Sequence, residues 1–178
     1  ALGANLDAVS AFANTNFASA AAMIAWIFFD MFNKKKMSAT GACIGAVVGL
    51  VAITPAAGFV TIGQSIFIGF ISAVISWYAV QIKNKSGLDD TLDVFPCHGI
   101  GGVSGMILTA VFAKDVGLVY GETTVFTHHM IALVCVSVFT FFGSLLLYKI
   151  VDLITPIRVI EEKELEGLDL SQHGESVE

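Results

Sequence analysis

The chemistry of this chain concentrates at Asp89-Asp90-Thr91-Leu92-Asp93-Val94-Phe95-Pro96-Cys97-His98, where three carboxylates lead into a proline, a thiol and an imidazole. From Val94 to Ala113 nothing else is ionisable, and the stretch is apolar and rich in glycine. An ionisable group inside an apolar span costs on the order of a few kcal/mol, which makes His98 the first candidate for a functional site. His98 lies five residues beyond Asp93, so about 7–8 Å along a helix from the polar end. At that depth desolvation disfavours the imidazolium, and a neutral ring donates one hydrogen bond and accepts another. Such a ring suits a small polar solute that is uncharged as it passes. The plainer alternative is a histidine tied to a neighbouring helix.

Other candidates carry less. His128 and His129 are adjacent, about 100° apart around a helix, a poor arrangement for one metal ion. They are expected at the interfacial start of a helix, with Thr127 as its cap. His173 falls in a polar tail. Cys43, Cys97 and Cys135 each sit inside an apolar stretch, where a thiol behaves as a small buried hydrophobe, and no CxxC pattern occurs. No HExxH, GxSxG or phosphate-loop motif is present, and no carboxylate pair lies within a span; Asp30 is expected at a span end, where charge costs little. No enzyme activity, metal, cofactor or nucleic-acid partner is therefore expected.

The elements that must position His98 follow from composition. The chain has 178 residues, 56% hydrophobic and 13% charged, with mean hydropathy +0.81, which excludes an ordinary soluble domain. Apolar stretches at 11–32, 38–55, 63–82, 94–113 and 125–154 each approach or exceed the roughly 20 residues that cross a bilayer. Lipid offers no partner to backbone polar groups, so each is expected to be a helix and the fold an all-α polytopic transmembrane bundle. The last stretch is longer than a bilayer requires and is expected to tilt or to run past the surface. Residues 156–178 form an acidic tail: Glu161, Glu162, Glu164, Glu166, Asp169, Glu175 and Glu178 stand against Arg158 and Lys163.

Lys34, Lys35 and Lys36 follow the first span, Lys83 and Lys85 the third, and Lys149, Arg158 and Lys163 surround the end of the fifth; Lys114 alone falls on the other side. The positive-inside rule places the amino end outside the cell membrane and the tail in the cytoplasm. Gly41, Gly45 and Gly49 form a row in the second span that suits close helix packing. Gly99, Gly101, Gly102 and Gly105 do the same in the fourth, where they would also leave room for a solute. Thr54-Pro55 ends the second helix, Asp89 to Asp93 supply caps for the fourth, and Pro96 falls in its first turn. The opening Ala1-Leu2-Gly3-Ala4-Asn5 has neither an initiator methionine nor signal-peptide character, which is expected of a piece of a larger protein.

Asp-Asp-x-x-Asp-Val-Phe-x-x-His-Gly-x-Gly-Gly, Asp89 to Gly102, with Leu108-Thr109-Ala110-Val111-Phe112-Ala113, resembles the tenth helix of ammonium transporters of the Amt/MEP/Rh superfamily. Gly49 to Gly58 is similar to their eighth helix, Ala11 to Thr15 to their seventh, and Glu166 to Glu175 to the cytoplasmic tail signature of the Amt branch. The resemblance implies helices seven to eleven plus the tail of an eleven-helix inverted-repeat fold. It makes His98 the second member of a twin-histidine pair lining the pore, with its partner in the N-terminal half. It turns Val94 and Val47 toward the pore and places the Thr54 carbonyl near the outer end. It also implies that ammonium sheds a proton at the outer entrance and ammonia passes the histidines, that the protein is a homotrimer, and that a PII-type signal protein docks at the tail. An ammonium-sensing module signalling through the tail is the alternative. Where the resemblance leads one to expect glycine and a small aliphatic residue, the chain has Pro96 and Cys97.

Overall fold

The computed structural model describes residues 3–33 and 36–176. Lys34 and Lys35, which entered the charge argument, and Glu178 of the tail lie outside the described residues, with Ala1, Leu2 and Val177. The chain divides into two units, Ala1–Leu133 and Val134–Glu178. Among the described residues all regular structure is helical, so the all-α membrane-helix fold expected above is the fold found.

Capping residues set the helix starts. Helix α1, Leu6–Phe32, begins where the Asn5 side chain accepts from Ala8 N at 3.0 Å. Helix α2, Ala39–Ile53, begins where Ser38 Oγ accepts from Gly41 N at 2.9 Å. Helix α3, Ile62–Ser86, opens with a reciprocal capping box between Thr61 and Gln64 and stops at Gly87, whose φ of 71° favours glycine. A π-helical turn, Phe95–Ile100, leads directly into α4, Gly101–Phe112. Helix α5 is Thr124–Ile154 and α6 is Glu161–Glu166.

Among the described residues, four spans are long and apolar enough to cross a membrane: α1, α3, the continuous Phe95–Phe112 segment and α5. The sequence reading expected five of near-full length, and α2 corrects it. Its 15 residues rise only about 22 Å, because the chain leaves the helix at Thr54-Pro55 and turns through residues 54–60. Helix α5 has 31 residues, roughly 46 Å, and none is buried. Thr127 is not its cap: the helix starts three residues earlier, and Thr127 Oγ1 donates to Thr123 O at 3.0 Å. The cysteine expectation also needs revision, since Cys97 is buried but Cys43 and Cys135 are exposed.

Within the first unit, α1 packs on both α2 and α3, and small residues set the approach. A Cβ at Gly49 would stand 2.5 Å from Ala18 O, one at Gly45 2.6 Å from Trp26 Cβ, and one at Gly69 would run into the Ala18 backbone. Gly105 of α4 meets Ala52 of α2 in the same way. Such contacts maximise van der Waals packing where lipid supplies no hydrophobic drive between helices, and Ser19 Oγ adds an interhelical bond to Ala46 O at 3.1 Å. One apolar cluster gathers Ala22, Ala25, Trp26, Val48, Trp77 and Cys97, and the other Ala18, Ala52, Ile53, Val60 and Ile68. Outward faces carry Phe12, Ile24, Phe28, Ile66 and Phe70, all exposed, as a lipid-facing surface requires.

Helices α1 to α4 alternate in direction. Asp30 near the end of α1, Gly41 at the start of α2 and Trp77 late in α3 share one end of the bundle. At the other end Asn14 Nδ2 donates to Ala57 O and Val60 O, both at 2.8 Å, and Lys114 N donates to Phe59 O.

Candidate functional site

The site is built from the loop that precedes it. After α3, Lys83 Nζ pairs with Asp93 Oδ1 at 2.7 Å and donates to Asp90 O at 2.9 Å. Both members of the ion pair are largely shielded, with 12% and 18% side-chain exposure. Asp93 takes a φ of 54°, a left-handed conformation that aspartate tolerates better than most residues. Asp90 then caps the helix start with both oxygens, accepting from Val94 N at 2.8 Å and from Phe95 N at 2.9 Å. Pro96 follows, needing no donor partner in this first turn, and the backbone widens into the π-helical turn that carries Cys97 and His98. Single π turns are rare and recur at functional sites.

The N–H groups of Phe95 and then Val94 hold the Asp90 carboxyl below its ordinary value of 3.8. A carboxylate depressed in the folded state contributes stability above its unfolded value, and that contribution fades as pH falls through the folded value. Thermal stability of the intact protein is therefore expected to drop below about pH 4, and the drop attributable to this cap should vanish in Asp90→Asn. Unfolding curves in detergent between about pH 3 and 7 check it; parallel pH dependence in protein and variant would refute the assignment.

His98 is exposed on the face where α2 meets the π turn. It borders a groove of about 210 Å³ lined by Thr40, Cys43, Ile44, Val47, Leu92, Cys97 and His98. Thr40, Ile44 and Val47 recur at helical spacing, so one stripe of α2 forms one wall. Of the four residues singled out from sequence, His98 and Val47 share this groove. Val94 is half exposed one turn earlier and does not line it. Thr54 lies at the other end of α2, its Oγ1 donating to Leu50 O at 2.7 Å, and its hydroxyl is thereby occupied. The glycines of α4 chiefly admit α2: Gly105 touches Ala52, and a Cβ on Gly101 would meet Ser76 Oγ, Val48 and Val51.

Sequence reasoning missed three buried polar residues that hold this frame. Asp30 was expected at a solvated end, yet it is buried, and the Trp77 indole N–H donates to its Oδ1 at 2.8 Å. The folding of α2 and α3 over the end of α1 covers it. Asn14 is 1% exposed and ties the turn after α2 through its amide. Ser104 Oγ, also buried, is bonded to Ser72 Oγ at 2.9 Å and Gly101 O at 2.8 Å, joining α3 to α4. An asparagine in an apolar span was itself a readable signal. Among the described residues no cluster of three or more potential metal ligands occurs.

The sequence matches the model of the Ammonium Transporter Family across residues 1–178. The chain belongs to the ammonium transporter family. An ammonium transporter of Bacillus subtilis is 46% identical over 180 residues, covering 96% of this chain and 45% of that protein. Among solved structures, the crystal structure of Candida albicans Mep2 superposes with a TM-score of 0.85 at 32% identity, over 96% of this chain and 40% of that one. A structure of a sensor Amt protein matches with a TM-score of 0.81 at 26% identity, over 95% of this chain and 43% of that one. This ammonium transporter family chain thus spans less than half the length of the relatives it matches. Family membership, together with its long apolar helices, makes it a multi-pass membrane protein.

Proposed function

We propose that this chain forms the carboxyl-terminal half of an ammonium-conducting pore, in which His98 and the α2 stripe are one wall and a matching N-terminal half is the other. The observation that carries this reading is the exposed imidazole on a narrow, mostly apolar groove. Bare cations pay heavily to enter such a passage, whereas ammonia does not. Ammonium would release its proton at the outer entrance, and ammonia would move along hydrogen bonds that an imidazole can both accept and donate. Val47 restricts the passage beside His98, Val94 precedes it, and the Thr54 carbonyl stands near the outer mouth. The lysine distribution supports an outside amino end and a cytoplasmic tail. Assembly as a homotrimer and docking of a PII-type signal protein on the acidic tail complete the reading.

His98→Ala in the intact protein is expected to cut methylammonium uptake about tenfold, the kinetic equivalent of one lost hydrogen bond of roughly 1.4 kcal/mol. Uptake unchanged at equal membrane abundance would overturn the role. The likeness to the sensor Amt structure favours a second reading, a module that binds ammonium and signals through the tail. Absence of uptake by the unmodified protein in transport-deficient cells, with retained ammonium binding, would select it.

A further inference from the structure

We propose that Thr40 is a second solute-contacting residue of the groove, receiving ammonia after it leaves His98 on the way to the cytoplasm. This rests on the conduction reading above and names the next hydrogen-bonding station of the same path.

The argument begins with what threonines do in this fold. Inside helices a threonine hydroxyl usually returns its proton to the carbonyl four residues back. Thr15 donates to Ala11 O at 2.7 Å, Thr54 to Leu50 O at 2.7 Å, Thr109 to Gly105 O at 2.7 Å, and Thr127 to Thr123 O at 3.0 Å. Each of these hydroxyls is spoken for. Thr40 is different because it is the second residue of α2, so the residue four positions back, Lys36, precedes the helix. The cap for this turn is already provided by Ser38 Oγ. Thr40 is exposed, its hydroxyl makes no hydrogen bond to the described residues, and it lines the same groove as His98.

The rest of that lining is Cys43, Ile44, Val47, Leu92 and Cys97, none of which is a strong hydrogen-bond donor or acceptor through its side chain. Thr40 and His98 are therefore the two side chains of the groove that can bind ammonia well. Thr40 stands on the side toward Asp30 and Ser38, which the lysine distribution places at the cytoplasm. A hydroxyl there can accept from ammonia and donate to its lone pair, which lowers the step from the imidazole to water.

The test uses the intact protein in cells that lack other ammonium uptake, with methylammonium as the probe. Thr40→Val keeps the shape and removes the hydroxyl; Thr40→Ser keeps the hydroxyl. The valine variant is expected to lower the maximal uptake rate about three- to tenfold with little change in the half-saturating concentration, and the serine variant to restore at least half of it. Membrane abundance and thermal unfolding should match the parent in both. Loss in valine with rescue by serine supports the inference. Parent-like uptake in Thr40→Val, while His98→Ala is impaired, overturns it and leaves the conduction reading standing. If His98→Ala is also parent-like, both fall. Equal loss in valine and serine, or a valine variant that is slow only because its unfolding temperature has dropped, assigns Thr40 a packing role and overturns the inference.

Discussion

Gly69→Val is expected to remove most of the folded protein from the membrane. A Cβ at position 69 would enter the Ala18 backbone itself, and main chain cannot move aside as a flexible side chain can. Alanine there should already cost about 1–3 kcal/mol of overpacking, against a helix-propensity gain of about 1 kcal/mol. Valine adds two methyl groups and separates α1 from α3, and so costs more than alanine. Gly63 on the same helix is the control, because a Cβ there meets nothing within 4 Å. Gly63→Ala should leave thermal unfolding in detergent unchanged or slightly raised, while Gly69→Ala lowers it and Gly69→Val yields little monodisperse protein. Equal behaviour at positions 63 and 69 would show that α1 and α3 are not held at this distance.

Lys83→Met carries the second largest effect. The substitution keeps the aliphatic stem and deletes the ammonium that pairs with Asp93 and bonds to Asp90 O. Removing one partner of a buried ion pair costs about 3–5 kcal/mol, and the residual exposure of this pair reduces that to about 2–3 kcal/mol. The consequence extends beyond stability, because Asp93 in its left-handed conformation accepts from Cys97 N at 2.9 Å and so sets the turn beneath His98. Adding Asp93→Asn removes the stranded charge and keeps a residue that tolerates the backbone. The double variant is expected to recover at least half of the lost stability, a coupling that a cycle of thermal unfolding measurements reads directly. Simple additivity of the two changes would refute the pairing.

Membrane character and the position of His98 were legible because each follows from local composition. Long apolar runs can satisfy their backbone in lipid only as helices, and one imidazole inside such a run stands out against its surroundings. The glycine row of α2 was equally readable, and its packing role is what Gly45 and Gly49 perform. Asp30 and Lys83 were not readable. Each lies near the end of a helix, where a charge ordinarily meets water, and nothing local distinguishes a solvated end from one that other parts of the fold cover.

The residues alone thus determined that this chain is an all-helical membrane protein with a histidine-bearing span, and their motifs pointed to its family. Periodicity and transfer free energy act residue by residue, so they survive in a linear string. Tertiary structure alone decided that Asp30 is buried against Trp77, and that Thr40 and Val47 share a groove with His98. It did so because these facts depend on which backbones approach closely enough to exclude lipid and water, a matter of contacts between residues tens of positions apart.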